Sequence, residues 1–191
     1  MSLVDRVKGI LLSPNSEWPI IDREPDSARD VMINYVAILA AIPAVCGFIG
    51  SAFVGFSVMG TAIRIPIGSA LISAVIGYIL TLVGVFVMAW IVDALAPTFN
   101  GVKNMDKAVK LVAYSATPSW LAGIFSIIPS LAFLGILGLY ALYLFYVGVP
   151  VMMKSPKEKT LIYTIAVIVI AIVISAIIGV IQARFIGIGY Y

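Results

Sequence analysis

The chain has 191 residues, of which 62% are hydrophobic and 11% are charged, and its formal net charge is +3. A soluble domain has about 45–50% apolar and about 25% charged residues, so this composition excludes a water-soluble globular protein and indicates a membrane protein. The absence of histidine and the single cysteine, Cys46, exclude a Cys/His metal cluster, an internal disulfide and a thiol–imidazole pair. We therefore expect no metal and no cofactor, and Cys46 is interpreted as a helix-packing residue.

Residues 1–30 are predicted to form an N-terminal arm outside the membrane core. They carry four basic and six acidic side chains without a long apolar run, so no signal peptide is expected and the first span serves as its own insertion signal. The segment 3–12 places five apolar residues on one helical face, with Asp5, Arg6 and Lys8 off it, which predicts an amphipathic helix lying in the interface. Trp18 then suits a headgroup anchor. The alternative is a frayed arm packed on the bundle.

Charged residues divide the rest of the chain, 31–191, into long apolar runs. A membrane-spanning helix needs about 20 apolar residues, and the uncharged run 111–153 has room for two such helices with a turn at Pro129. The sequence therefore predicts an all-α, polytopic membrane protein with a bundle of five transmembrane helices. Their predicted bounds are about 32–56, 67–92, 106–128, 131–152 and 160–183.

The distribution of lysine and arginine predicts the orientation. Ten of them lie in the arm, the second loop and the fourth loop, whereas only Arg64 and Arg184 lie on the opposite side. Positive loops stay in the cytoplasm, so we expect a cytoplasmic N-terminus and the C-terminus outside.

The stretch IVDALAPTFNG ends the second span and carries an acid, Asp93. A helix C-terminus disfavours a negative charge, so Asp93 is expected to need a partner. The candidates are Lys107 and Lys110, at the start of the third span, or the free N–H groups of that helix. We predict that these three residues form a structural latch between the second and third spans.

Four further lysines on the same side are candidate contacts for anionic lipid headgroups. They are Lys103, Lys154, Lys157 and Lys159. The rule that positive loops face the cytoplasm explains these charges without any ligand, and it is the simpler interpretation.

The third span carries hydroxyls around a proline, which predicts a polar kink. Pro118 frees the backbone carbonyl of Tyr114, which a nearby hydroxyl can satisfy. Tyrosines of the fourth span share one face and could join this kink in a seam for a ligand or a lipid. The alternative is structural hydrogen bonding around the kink. The seam residues are Tyr114, Ser115, Thr117, Pro118, Ser119, Tyr140 and Tyr143.

Small residues four apart form stripes on three of the predicted spans. Such stripes allow close helix contact in lipid, either within the chain or in self-association. They comprise Gly47, Ser51 and Gly55; Ser69, Ser73, Gly77 and Thr81; and Ala171, Ser175, Gly179 and Ala183.

Four segments in this order resemble the bacterial branch of the Yip family of multi-pass membrane proteins, which interact with Ypt/Rab GTPases. They are VKGILLSPNSEWPII, IVDALAPTFNG, AYSATP and LYALYLFYVGVPVMMKSPKEK, and together they cover nearly the whole chain. The spacing from Tyr114 to Pro118 is similar to the G-Y-x-x-x-P element of eukaryotic members, with Ala113 in the glycine position. The resemblance implies a bacterial inner-membrane protein with five helices, a cytoplasmic N-terminus and a non-enzymatic role. Eukaryotic members bind prenylated GTPases through a longer N-terminal region with a D-L-Y-G-P element, so GTPase binding is not carried over to this short arm.

These observations favour a non-catalytic membrane organiser or adaptor that binds lipids, other membrane proteins or a second copy of itself. The alternative is a small transporter or channel that passes an uncharged solute or a lipid along the seam between the third and fourth helices. An enzyme is not expected, because the spans offer no acid pair and no nucleophile with a base, and nothing indicates nucleic-acid binding.

Overall fold

Helices form almost all of the described chain. The computed structural model describes residues 2–58 and 61–187, with side chains described for residues 2–55 and 64–180. The α-helices in these ranges are α1 (Leu3–Leu12), α2 (Pro14–Arg23), α3 (Ala28–Val31), α4 (Ala37–Ile49), α5 (Ile67–Leu95), α6 (Met105–Ser115), α7 (Thr117–Ala122), α8 (Tyr140–Met152) and α9 (Lys157–Gly187). The π-helical turns are Met32–Val36 and Gly50–Val54, and the 3₁₀ segments are Ala96–Phe99, Gly123–Ile127 and Pro129–Leu139. A short antiparallel pair, β1 (Phe56–Val58) and β2 (Thr61–Ile63), follows the first long stretch.

Four helical stretches are long and apolar enough to cross a membrane. They are Ala28–Val54, Ile67–Phe99, Pro129–Met152 and Lys157–Val180. They contain most of the predicted first, second, fourth and fifth helices, because runs of about 20 apolar residues mark such elements clearly in sequence. The predicted all-helical membrane class is confirmed, with four such helices in the part of the chain that the structure describes.

The predicted third helix, 106–128, is divided into shorter pieces. α6 ends at Ser115, and α7 and a 3₁₀ segment continue the chain. Pro118 lies in the first turn of α7, where its missing N–H breaks no hydrogen bond, whereas inside one continuous helix it would break one. Ile128 is then extended ahead of Pro129 (φ −114°, ψ 102°), which makes the turn predicted there.

The arm, residues 2–27, packs across one end of the long helices, which we call the arm side. Trp18 of α2 is fully buried, and its indole approaches Gly148 of α8 and the Leu111 side chain of α6. The prediction that Trp18 anchors in lipid headgroups is therefore wrong, because the ring lies inside the protein. Its burial supplies much of the apolar contact that holds the arm.

The residues of helix α1 that face the interior differ in part from those predicted from sequence. Ile10 is fully buried, whereas Val4 is 57% exposed, and Arg6 is only 5% exposed. Arg6 lies three residues from Leu3 and four from Ile10, so it shares the inner face with them. The placement of Arg6 on the polar face is therefore wrong.

Two of the predicted small-residue stripes face each other within the chain. Gly47 of α4 and Gly77 of α5 both line a cavity of about 340 Å³ between these helices. On α9, Ala171 and Ser175 line a second cavity, and the side chain of Ala183 lies outside the described residues. Small residues of these two stripes thus border a cavity inside the chain.

The close packing of Gly148 gives a test of arm docking. A Cβ atom there would lie 2.6 Å from Leu111 Cδ1 and 2.7 Å from Trp18 Cε2. We expect Gly148→Ala to displace Trp18 and to lower the free energy of unfolding by about 1–3 kcal/mol, measured by thermal unfolding in detergent. Gly135→Ala is the matched control, because a Cβ atom there meets nothing within 4 Å. Equal effects of the two substitutions would contradict this packing.

Candidate functional site

A buried arginine joins the arm to the helices. The Arg6 guanidinium donates from Nη1 to Glu17 Oε1 at 2.5 Å and from Nη2 to Glu24 Oε1. Its central carbon lies 5.5 Å from the centre of the Tyr114 ring. A guanidinium buried in this way is tolerable only when charged partners satisfy it, and the aromatic face adds a cation–π contact. We call Arg6, Glu17, Glu24 and Tyr114 the arginine cluster.

Tyr114 of α6 is the aromatic centre of this end of the protein. Its ring meets the Tyr35 ring edge to face, with centroids 4.6 Å apart. The Trp18 ring lies on another side, with centroids 6.5 Å apart. Tyr114 therefore contacts the arm and the first long helical stretch at once, and such aromatic pairs add stability beyond the area they bury.

Hydroxyl groups complete the kink before Pro118. The Thr117 hydroxyl donates to the Tyr114 carbonyl at 2.7 Å, which satisfies the group that the proline leaves free. The Tyr35 hydroxyl lies 2.7 Å from the Thr117 oxygen. Because threonine has one hydroxyl proton and gives it to the carbonyl, Tyr35 is the donor in this second bond. The kink is thereby bonded to the first helical stretch.

A cavity of about 270 Å³ lies beside the arginine cluster, and we call it the acidic cavity. Its walls include the carboxylates of Glu24, Asp26 and Asp30 and the rings of Tyr35 and Tyr114. Arg6 also lines it, but two of its nitrogens are already paired. The lining is therefore negatively charged and rich in hydrogen-bond acceptors.

Asp22 of α2 forms ion pairs with two lysines for which the sequence predicted other partners. Lys107 Nζ lies 2.6 Å from one carboxylate oxygen and Lys154 Nζ lies 2.7 Å from the other. Burial raises the pKa of the Asp22 carboxyl, but hydrogen bonds from both lysines and their charges outweigh burial and hold this pKa below its usual value of 3.8. Lys154, a predicted lipid contact, is thus part of the arm attachment.

The predicted latch between Asp93 and two lysines is not formed. Lys107 bonds Asp22, and Lys110 donates to the backbone carbonyl of Glu24 at 2.6 Å. One Asp93 oxygen is buried without a hydrogen-bond partner among the described residues. The latch prediction is wrong because both lysines reach back to the arm.

Backbone contacts connect the second and fourth loops instead. The Val102 amide donates to the Met153 carbonyl at 2.8 Å, and the Ser155 hydroxyl donates to the Phe99 carbonyl at 2.9 Å. A Cβ atom at Gly101 would lie 2.7 Å from the Met153 oxygen, so glycine is needed for this approach. These bonds join the segments that follow α5 and α8.

The remaining predicted lipid contacts form no ion pair among the described residues. Lys103 and Lys157 are exposed, and Lys159 is half-buried. Their ammonium groups therefore stay available to solvent or to anionic headgroups.

The predicted seam residues do not form one seam. Tyr114 and Thr117 face the first helical stretch, and Ser115 is buried with no hydrogen-bond partner for its hydroxyl among the described residues. Tyr140 donates instead to the Leu11 carbonyl of the arm at 3.0 Å, and it stacks on Tyr143 with ring centroids 5.4 Å apart.

Pro118 and Ser119 lie on different cavities. Pro118 is buried and lines an apolar cavity with Leu11 and Tyr140. Ser119 is exposed, donates to the Gly138 carbonyl at 3.1 Å, and lines a larger cavity of about 530 Å³. We call the larger one the bilayer cavity, because small residues of α7, of the 3₁₀ segment after it and of two long apolar stretches form its walls.

Sequence reasoning missed the acids that pair with the buried arginine. Glu17 and Glu24 show no helical spacing to Arg6, because they belong to the next helix and to the segment after it. The one local indication was the position of Arg6 between Leu3 and Ile10 on the helical wheel, which places a charge on the apolar face.

The chain is similar to known membrane proteins along nearly its whole length. The sequence model of the Yip1 domain family matches residues 8–178. Inner membrane protein YohC of Escherichia coli K12 is 27% identical over 192 residues, with 98% of each chain covered. YohC of Escherichia coli O6:H1 strain CFT073 matches with the same values. No solved structure matches the chain.

Loss of Arg6 tests whether the cluster holds the arm. We expect Arg6→Met to lower the free energy of unfolding by about 3–5 kcal/mol, because Glu17 would remain buried without a counter-charge. The double variant Arg6→Met/Glu17→Met should lose less than Arg6→Met alone, measured by thermal unfolding in detergent. Arg23→Met is the control, since Arg23 is exposed and forms no ion pair among the described residues. Strictly additive effects of the two cluster substitutions would contradict a coupled pair.

The low pKa of Asp22 predicts how arm attachment depends on pH. A carboxyl with a lowered folded-state pKa stabilises the fold above its unfolded pKa, and that stability is lost as the pH falls through the folded-state value. We expect the difference in Tm between the wild type and Asp22→Asn to be constant from about pH 8 to about pH 5. The difference in Tm should shrink once the pH falls below 3.8, the usual pKa of the carboxyl. If this difference in Tm disappears already at about pH 6, the pH dependence belongs to another titratable group.

Proposed function

The chain belongs to the Yip1 domain family, and from that premise we propose that it is a non-catalytic organiser of the bacterial inner membrane. In this role it binds lipids through its helices and presents the docked arm to other membrane proteins. The inner-membrane location is supported by the name of the similar Escherichia coli protein and by four helices long enough to cross a bilayer.

The topology we propose has five crossings and a cytoplasmic arm. The third crossing is the broken segment 105–127, which runs beside the first helical stretch in the same direction. Tyr35 bonds Thr117 near the arm side, and Gly50 packs on the backbone of Ser126 further along. Ten of the twelve basic residues then lie on the arm side, which supports a cytoplasmic N-terminus and an outer C-terminus. The exposed apolar side chains of α1 would rest in the interface.

The bilayer cavity is the observation that carries the lipid-binding proposal. It measures about 530 Å³, within the usual range of about 300–1,000 Å³ for small-molecule sites. Most of its walls are small residues, with the hydroxyls of Ser119, Ser126 and Ser175 among them. No charged residue lines it, so an acyl chain or another uncharged group fits its chemistry better than an ion.

Lysines at the arm side would hold the headgroups of such lipids. Lys103, Lys157 and Lys159 have no acidic partner among the described residues, and each can contribute to attraction for an anionic surface. Lys154 and Lys107 contribute less, since Asp22 already neutralises part of their charge. A non-catalytic role also agrees with the composition, which has no histidine and a single cysteine.

One observation favours transport as the second candidate. The wall formed by Pro129–Leu139 is an 11-residue 3₁₀ segment, whereas 3₁₀ helices rarely exceed about four residues. Converting it to an α-helix would move the side chains that line the bilayer cavity. Flux of an uncharged solute into reconstituted liposomes, lost on filling the cavity, would favour this candidate over the organiser.

Filling the bilayer cavity tests the proposal. We expect Gly135→Phe to reduce the amount of co-purified lipid at least about threefold, because the ring would occupy the space that the acyl chain needs. The measurement is native mass spectrometry after gentle extraction. Gly179→Phe is the matched control, since a Cβ atom at either glycine meets nothing within 4 Å but only Gly135 lines the cavity. Identical lipid retention in the two variants would rule out this cavity as the binding site.

A further inference from the structure

We propose that the acidic cavity is a binding site for a primary ammonium group. It is separate from the bilayer cavity, and no lysine lines it. The ligand is a small organic amine, or the ethanolamine headgroup of a phospholipid, which carries the same ammonium. The proposal concerns recognition of the ammonium, and it stands whether or not the bilayer cavity holds an acyl chain.

The charge of the walls favours a cation. Three carboxylates and one guanidinium line the cavity, which gives a formal charge of −2. The guanidinium of Arg6 has two nitrogens engaged, one with Glu17 and one with Glu24, so it is poorly placed to attract an anion. An anionic ligand would have to enter against Asp26 and Asp30, and this repulsion costs free energy.

Two hydrogen-bonding groups at the cavity have no partner, and they also favour an ammonium ligand. Glu24 Oε2 is buried and accepts no hydrogen bond from the described residues. The Tyr114 side chain is only 4% exposed, lines the cavity, and finds no partner for its hydroxyl among the described residues. Buried polar groups are nearly always satisfied, so the unpaired Glu24 oxygen indicates a missing donor, and the Tyr114 hydroxyl is a second group available to it. A primary ammonium supplies three N–H donors.

The local backbone opens the space that this group would occupy. Met32–Val36 is a π-helical turn that carries two of the lining residues, Asn34 and Tyr35. Such turns widen a helix locally and are frequent at functional sites. The side-chain carbonyl of Asn34 is a third acceptor within the lining. Because the turn lies in the first part of the stretch Ala28–Val54, the cavity is at the depth expected for headgroups in the topology proposed above.

An amine fits this site better than a metal ion. No group of three His, Cys, Asp or Glu side chains in the described residues converges closely enough to hold a metal. Two of the wall carboxylates are also partly engaged, Glu24 by Arg6 and Asp30 by the Ser27 hydroxyl and amide. Fewer ligands suffice for an ammonium, because hydrogen bonds from its three protons can be shared between a carboxylate, a phenol and an amide.

The experiment compares an amine with a quaternary cation of the same charge that cannot donate hydrogen bonds. The purified protein is titrated with ethanolamine and with tetramethylammonium, followed by ligand-observed saturation-transfer NMR. In parallel, nanodiscs of mixed phosphatidylethanolamine and phosphatidylcholine report lipid enrichment by native mass spectrometry. The variants are Tyr114→Phe, which removes one hydroxyl, and Asp26→Asn, which removes an exposed charge that forms no hydrogen bond in the described structure. Glu158→Gln on α9 is the control, since this exposed acid lies outside the cavity.

The proposal predicts that ethanolamine binds and tetramethylammonium does not. Each cavity variant should weaken ethanolamine binding by about tenfold while Glu158→Gln leaves it unchanged. Enrichment of phosphatidylethanolamine, lost in the same variants, would assign the site to a lipid headgroup, and binding of free ethanolamine alone would assign it to a soluble amine. Equal binding of both cations, unchanged binding in the variants, or no binding of either form of ethanolamine would overturn the proposal. If Tyr114→Phe does not fold, Asp26→Asn alone decides the test.

Discussion

The guanidinium of Arg6 is the constraint on which the arm side of the structure depends. A charge buried to 5% exposure must be paired, and its two partners come from different elements. Glu17 belongs to α2, and Glu24 belongs to the segment that leads into the first long stretch. One residue of α1 therefore ties α1 to α2 and to the segment that follows α2. Because the charge rests on the face of Tyr114, it also fixes where the arm meets the helices.

The effect of this contact continues into the bundle through Tyr114. Its ring packs on Tyr35, and its carbonyl is held by Thr117, whose hydroxyl also bonds Tyr35. The arm, the first stretch and the kink before Pro118 are thus joined by neighbouring contacts. Asp22 adds a second attachment, to Lys107 and Lys154. Both cavities proposed as binding sites border this framework, since the acidic cavity includes Tyr114 and the bilayer cavity begins near Ser119, just beyond the kink.

The long elements could be predicted from sequence because their length is set by the thickness of a bilayer. Four apolar runs therefore appear as long helices close to their expected bounds. The division of 106–128 was only partly predictable, since Pro118 indicated a kink but not that α6 would end at Ser115. The side-chain pairs were less predictable still. Lysine side chains are long enough to reach several acids, so Lys107 binds Asp22 and not Asp93, the acid predicted from sequence.

The central claim is that the arm is docked through the arginine cluster. Hydrogen–deuterium exchange of the wild-type protein in nanodiscs tests this directly, because amide protection reports local opening. The account predicts that amides of α1 and α2 exchange as slowly as those of α6, and that Arg6→Met speeds exchange in residues 3–27 far more than in α9. Fast exchange of α1 in the wild type, unchanged by Arg6→Met, would contradict it.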